Sequence, residues 1–144
     1  MEILNIKKLN SKAIIPTYGT LDSAGADIYA LLDDEINIKP DETVVIPTGL
    51  AMAIPKGYVG LIYARSSLGT KKGLAPANKV GVIDADYRGE IKVVLYNQSN
   101  KVQTIAPNER IAQIVITPFL QANFNEVEEL DETERGQGGF GSTN

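Results

Sequence analysis

Histidine, cysteine and tryptophan are absent from all 144 residues. Without cysteine there is no disulfide, no thiolate nucleophile and no zinc–thiolate site. Without histidine the commonest general base near neutral pH is missing, and with it the commonest transition-metal ligand. Acid–base chemistry would fall to Asp, Glu, Lys or Tyr, and a metal would be a hard, oxygen-bound ion such as magnesium. No apolar run approaches the length of a membrane span, and the N-terminus lacks a basic-then-apolar pattern. A cytoplasmic protein with no membrane partner and no secretory signal is therefore expected. A strong charge bias is missing as well. The net charge is −4, but six of the 18 carboxylates crowd into residues 126–134: Glu126, Glu128, Glu129, Asp131, Glu132 and Glu134. The residues before them hold 13 basic and 12 acidic side chains. A body so balanced has no general attraction for nucleic acid.

What is present is β patterning. A hydrophobic content of 43% over this length supports one domain with a real core. The runs "TVVIPTGLAMAIP" (43–55), "GYVGLIYA" (57–64), "EIKVVLYN" (90–97) and "RIAQIVITPF" (110–119) are rich in Val, Ile and Tyr, and turn residues bound each of them. "KPDE" (39–42) and "APNE" (106–109) place Pro before Asp or Asn, as type I turns prefer, and "NQSN" (97–100) reads as a hairpin loop. No segment sustains a 3.6-residue apolar period, so only a short helix near 66–73 fits. Many short strands at close spacing predict an all-β, jelly-roll-like distorted barrel or sandwich. Residues 1–119 would form that core and 120–135 an extended acidic arm. From Pro118 to Gly138 the chain could span on the order of 60 Å, enough to reach a neighbouring subunit.

Five stretches are denser in Gly, Asp, Arg and Ser than β turns require. "DSAGADIYA" (22–30) sets Asp27 among small residues at the start of a strand; alone, it reads as a turn Asp capping local amides. "YARSSLG" (63–69) ends a strand with Arg65, Ser66 and Ser67. A forked guanidinium, hydroxyls and free N–H groups suit phosphate, though a helix N-cap beside a surface Arg explains the same letters. "NKVGVIDADYRGEI" (78–91) permits a tight hairpin at Gly81, with Asp84 and Asp86 before Tyr87. An acidic hairpin is the bland reading, but Asp84 follows Val82 and Ile83, so partial burial is expected, and a buried carboxylate needs a reason. "ERIAQIVI" (109–116) interrupts an apolar strand with Gln113; a solvent-facing Gln is the simpler reading, and a buried one needs partners. "ERGQGGFGSTN" (134–144) wraps Gly136, Gly138, Gly139 and Gly141 around Phe140. Such composition favours a frayed end. Yet its glycines would let backbone N–H groups approach phosphate. Arg135 adds a fixed charge, Ser142 and Thr143 add hydroxyls, and Phe140 adds a flat face for a base.

Together and in this order, the five stretches resemble the five motifs of the homotrimeric dUTP pyrophosphatases (deoxyuridine triphosphatases), from about Leu21 to Asn144. "GVIDADYRGEI" and "RGQGGFGST" are the most specific parts. The resemblance implies a jelly-roll-like subunit and a homotrimer with three active sites at subunit junctions. It further implies C-terminal arm exchange, with residues 136–144 closing as a lid over a neighbour's site. Asp84 would orient and deprotonate a water that attacks the α-phosphorus of dUTP, leaving pyrophosphate and dUMP for thymidylate synthesis. Magnesium would bridge phosphate oxygens, held only through waters on Asp27. Arg65, Ser66, Gln113 and, mainly through its backbone, Ser67 would hold the phosphates, joined by Arg135, Gly138, Gly139, Ser142 and Thr143. Tyr87 would lie flat on the sugar and exclude a ribose 2′-hydroxyl. Asn78 and the backbone of Gly81, Val82 and Ile83 would pair with the uracil edge, and Phe140 would stack on the base. Cytosine would leave buried groups unpaired, a mismatch worth about 10⁴-fold or more. The resemblance leaves Asp86 and Arg88 between structural and interfacial roles.

The second stretch, Ala64 to Leu68, also resembles the dCTP deaminases, a related trimeric fold. Deamination, alone or with pyrophosphohydrolysis, is thus the alternative enzyme reading. A nucleotide-gated module that binds a regulatory protein partner, as in phage-borne members, is the non-enzyme reading.

Overall fold

The computed structural model describes residues 3–141. Short apolar runs broken by Gly, Pro and Asn yield short strands: β1 (Asn5–Lys8), β2 (Thr17–Tyr18), β3 (Ala26–Tyr29), β4 (Ile36–Ile38), β5 (Thr43–Pro47), β6 (Leu50–Ala53), β7 (Tyr58–Tyr63), β8 (Leu74–Pro76), β9 (Gly81–Ile83), β10 (Lys92–Asn97), β11 (Gln103–Ile105) and β12 (Arg110–Pro118). The one helix among the described residues is α1 (Ser66–Lys72), where a short helix was expected. It stops at Gly73, whose left-handed φ of 64° closes the last turn onto the carbonyls of Leu68 and Gly69.

Every pairing is antiparallel, and the strands form small sheets rather than one: β1-β6, β5-β10-β8, β11-β4 and β2-β3-β12-β7-β9. Neighbours in sequence often part to different sheets, which gives the expected all-β, jelly-roll-like architecture. Ile28, Ile38, Ile46, Leu74, Leu95, Ile105 and Ile111 are fully buried between these layers. Each such side chain contributes roughly 1.5–3 kcal/mol of burial free energy. β12 is the longest strand and lies at the middle of the five-stranded sheet, so its odd polar residue, Gln113, sits in a structurally fixed row.

Three local expectations need correction. The run 43–55 is two strands in two sheets, split at Thr48 and Gly49. Gly49 has φ of 67°, and a Cβ there would lie 2.7 Å from the Leu31 side chain. Thr48 is buried and donates to the Ile91 carbonyl at 2.5 Å. "KPDE" and "APNE" do close as turns, Glu42 N–H to Lys39 O and Glu109 N–H to Ala106 O, both at 3.1 Å. However, Asp41 and Asn108 have φ of 61°, the left-handed third position of a type II turn rather than type I. "NQSN" is not a hairpin, because β10 pairs with β5 and β8 while β11 pairs with β4. Asn97 explains the difference: fully buried, it donates to Ile38 O at 2.9 Å and Lys101 O at 2.8 Å and turns the chain into the next sheet.

Beyond Phe119 the chain leaves the sheets without further strand, and Leu120, Phe124 and Leu130 stand exposed. On the body, an apolar groove of 410 Å³ runs between Leu4, Ile6, Ile15, Tyr18, Met52 and Tyr58.

Candidate active site

Three elements meet at the first pocket. Asp27 on β3 lies opposite Gln113 on β12, which lies opposite Tyr63 at the end of β7. In a pleated sheet, residues directly opposite share a face, so Asp27 and Gln113 point the same way. β7 ends at Tyr63, and Ala64 and Arg65 turn the chain into α1. The helix start thus sits against this row. The result is an open cavity of 320 Å³ lined by Gly19, Ser23, Gly25, Asp27, Arg65, Ser66 and Gln113.

The side chains there hold each other. Asp27 is 9% exposed, and each of its oxygens carries a guanidinium: Arg65 Nε to Oδ1 at 2.6 Å and Arg110 Nη1 to Oδ2 at 3.1 Å. Arg65 Nη1 also donates to Ser67 Oγ at 3.2 Å. So Ser67 engages through its hydroxyl, and Asp27 caps no turn amide here but anchors two cations. Gln113 is half-buried, not solvent-facing, and its Nε2 donates to Ala64 O at 2.8 Å. Two cations on one carboxylate leave an uncompensated positive charge at the pocket, which suits an anion with several oxygens. Among the described residues no group of three His, Cys, Asp or Glu could hold a metal. Asp27 is the only carboxylate among the residues that line this pocket, and both of its oxygens already carry a guanidinium.

The second set of residues lies on β9, the edge of the same sheet. Gly81 does not make a turn; it begins β9 opposite Ile62, and a Cβ there would come within 3.1 Å of Ile62 Cβ and 3.4 Å of Asn78 Nδ2. A recess of 90 Å³ opens between Ile62, Asn78, Gly81 and Val93. The chain then turns at 84–87, Tyr87 N–H to Asp84 O at 3.1 Å. Arg88 braces this turn by donating to Ala85 O and Tyr87 O at 2.6 and 3.0 Å. Asp84 is exposed, against the expected burial. On an edge strand the Val82 side chain itself faces out, at 62% exposure, so the apolar letters before Asp84 do not shelter it. Asp86 is exposed as well. Asp84, Tyr87 and Val82 line a further cavity of 250 Å³ with Ile83, Glu90 and Lys92. Neither β9 cavity shares a residue with the Asp27 pocket.

The tail joins neither group. Arg135 Nε donates to Gly138 O at 2.8 Å, Gly138 N–H returns to Arg135 O at 3.1 Å, and Gly139 lies beside the guanidinium. Phe140 is wholly exposed. Ser142 and Thr143 lie outside the described residues. Within one chain, then, Asp27, Arg65, Ser66, Ser67 and Gln113 come together. Asn78, Gly81 to Asp84 and Tyr87 form a separate group, and Arg135 to Phe140 a third.

Sequence reasoning assigns no role to Arg110, Gly25 or Gly89. A Cβ on Gly25 would lie 2.9 Å from Gln113 Cδ, and one on Gly89 would lie 2.6 Å from Tyr87 Cζ. Both glycines make room for a side chain already singled out. Gly89 stands two residues from Tyr87, which was an available signal, but Gly25 is far along the chain from Gln113, and the clash it avoids is visible only in three dimensions.

A sequence profile of the dUTPase family matches residues 11–144. The deoxyuridine 5′-triphosphate nucleotidohydrolase of Nautilia profundicola is 53% identical over 97% of this chain and 97% of its own length. That of Syntrophotalea carbinolica is 45% identical over 97% of this chain and 95% of its own. Among solved structures, a Staphylococcus bacteriophage 80alpha dUTPase with dUpNHpp superposes with a TM-score of 0.90 at 30% identity, covering 100% of this chain and 99% of that one. A mutant dUTPase from phage phi11 of S. aureus, described as coordinating a structural Mg(II) ion, superposes at 0.78 with 27% identity, covering 89% of this chain and 98% of that one.

Proposed function

This chain belongs to the dUTPase family, and from that premise we propose that it hydrolyses dUTP to dUMP and pyrophosphate by attack of water on the α-phosphorus. One observation carries the reading beyond membership. Asp27, Arg65, Ser66 and Gln113, from three separate stretches, converge on one open pocket with an excess of guanidinium charge. That is a polyphosphate seat. Arg65 and Gln113 hold phosphate oxygens, and the hydroxyls and N–H groups at Ser66 and Ser67 add donors. Phosphoryl transfer asks mainly for such positioning and charge stabilisation. Asp84 is the carboxylate that orients and deprotonates the water. In a chain without histidine, an exposed Asp on a braced turn serves this role. Asn78 with the Gly81–Ile83 backbone reads the uracil edge, and Tyr87 excludes the 2′-hydroxyl.

The complete site needs more than one copy. Its phosphate and base halves line cavities with no common residue, and the tail residues Arg135, Gly138, Gly139 and Phe140 line neither. A homotrimer that sets a neighbour's β9 turn against the Asp27 pocket joins the halves. In that arrangement residues 1–119 are the core, 120–135 the arm and 136–144 the lid, with Ser142 and Thr143 completing the tail's phosphate donors. The exposed Leu120, Phe124 and Leu130 and the uncovered apolar groove on the body are surfaces that arm exchange would bury. When bound with the triphosphate, magnesium would supply charge neutralisation for its oxygens. The chain's share is Asp27, a single carboxylate that fits a water-mediated contact better than direct ligation. The deaminase alternative is not favoured, since the relatives described above carry the nucleotidohydrolase name.

The test is product analysis. The purified protein is incubated with magnesium and dUTP, dCTP, dTTP or UTP separately. Conversion of dUTP alone to dUMP and pyrophosphate is expected. Deaminated product from dCTP, or no turnover of any of the four, would overturn the reading.

A further inference from the structure

Arg110 stands in the fourth stretch without an assigned role, and strict alternation along β12 would point it away from the pocket. Gln113 faces Asp27, so residues 111 and 109 would share that face and Arg110 would not. The register shifts instead: Arg110 lies opposite Tyr29 and Ala112 opposite Ile28, leaving Ile111 extra. Tyr29 is two residues from Asp27 and shares its face. The bulge therefore turns Arg110 onto the face of Asp27 and Gln113, a device that β strands use to re-aim a side chain.

The re-aimed guanidinium meets Asp27 Oδ2 at 3.1 Å while remaining half-exposed. Arg65 uses Nε on Asp27 Oδ1 and Nη1 on Ser67 Oγ. Two of its five donors are thus already spent. A phosphate that takes the Nε edge of Arg65 in a two-pronged contact must displace Asp27. If the Asp27 bond opens and Asp27 has no other partner, a carboxylate with 13% of its side chain exposed is left unpaired.

We infer that Arg110 is a positioning residue of the phosphate pocket. It keeps Asp27 paired and fixed through Oδ2, so that Arg65 can exchange Asp27 for a phosphate oxygen. The inference rests on the polyphosphate reading of the pocket. It does not place Arg110 on the substrate.

The experiment compares Arg110→Ala, Asp27→Asn and the double variant. It reads KM and kcat for dUTP, the Kd for magnesium tripolyphosphate by calorimetry, and thermal unfolding. Arg110→Ala is expected to raise KM and Kd about tenfold, the loss of one charge-assisted hydrogen bond, with kcat within about threefold. In the Asp27→Asn background the same change is expected to add less than about twofold, because the two residues act as one unit. Arg110→Gln keeps the aliphatic stem and removes the charge, so it gives the same direction if the Ala variant proves too unstable to assay. Unchanged KM and Kd in a folded variant overturn the inference. So does an equal effect in both backgrounds, which would put Arg110 on the phosphate itself. Should the wild-type protein fail to turn over dUTP yet lose tripolyphosphate affinity on Arg110→Ala, the positioning role stands and the proposed reaction falls.

Discussion

In the pocket between β3, β12 and the start of α1, Asp27, Arg65 and Gln113 are each held by another side chain or a backbone carbonyl. On the edge strand β9 it is the backbone that is held, by Arg88 and the turn at 84–87, while Asp84 pairs with no cation among the described residues. The first arrangement is preorganised within one chain, and charge stabilisation needs that. The second presents an exposed Asp, Val82 and Tyr87 outward. Its environment has to be completed by something else. A polyphosphate is bulky, multiply charged and tolerant of small errors in any one contact. A water molecule about to attack needs a carboxylate placed against the substrate, and in the proposed trimer that placement would depend on how copies meet.

The sharpest way to test this contrast is Asp84→Asn. Because Asp84 is exposed, the substitution should leave thermal unfolding almost unchanged. Turnover of dUTP should fall about 10³-fold, the scale of losing a positioned base. Tripolyphosphate affinity, which belongs to the other half, should not move. A variant that keeps more than a tenth of the wild-type rate would remove Asp84 from the chemistry. Gly25→Ala probes the opposite half and should do the opposite. Its Cβ would overlap the Gln113 amide, with Cδ at 2.9 Å, so Gln113 must leave its bond to Ala64 O or the strands must part. Overpacking of this kind costs about 1–3 kcal/mol. A lower unfolding temperature together with a KM raised about tenfold is expected, with kcat little changed. If unfolding and KM both match wild type, Gln113 is not held as the pocket geometry implies.

The fold was readable because its signals are local. Val- and Ile-rich runs bounded by Pro, Gly and Asn give strands, and the absence of a 3.6-residue period leaves room only for α1. The turn types were not readable, since the φ of 61° at Asp41 and Asn108 depends on where Asn97 and Ala30 offer partners. The site was legible as a set of motifs. Which members meet was not, because register decides it. Asp27 faces Gln113 through the pairing of β3 with β12, and Arg110 joins them only through a one-residue bulge that no letter in "ERIAQIVI" announces. Asp84 misled for the same reason. The apolar residues before it lie on an edge strand, and edge position is a property of the sheet, not of the segment.

The smallest expected effect is the most informative about the β9 half. Gly89 does not need glycine for its backbone, since its φ is not left-handed. It needs glycine because the Tyr87 ring lies over it: an added Cβ would sit 2.6 Å from Cζ and 3.0 Å from Cε2. The ring is pinned there by its hydroxyl, which donates to Glu90 O at 2.9 Å, and Glu90 is in turn fixed by Gly49 N–H at 2.9 Å. Gly89→Ala therefore displaces the ring while leaving Asp84, the turn and the phosphate pocket intact. Turnover of dUTP should stay within about threefold of wild type, and the preference for dUTP over UTP should fall by roughly threefold to tenfold, because a shifted ring no longer fills the space of a 2′-hydroxyl. Tyr87→Ala, which removes the ring altogether, sets the ceiling for that loss. An unchanged preference in Gly89→Ala with a reduced one in Tyr87→Ala would mean that the ring takes its working position only when another copy packs against it. The β9 half would then be assembled rather than preformed in its specificity as well as its chemistry.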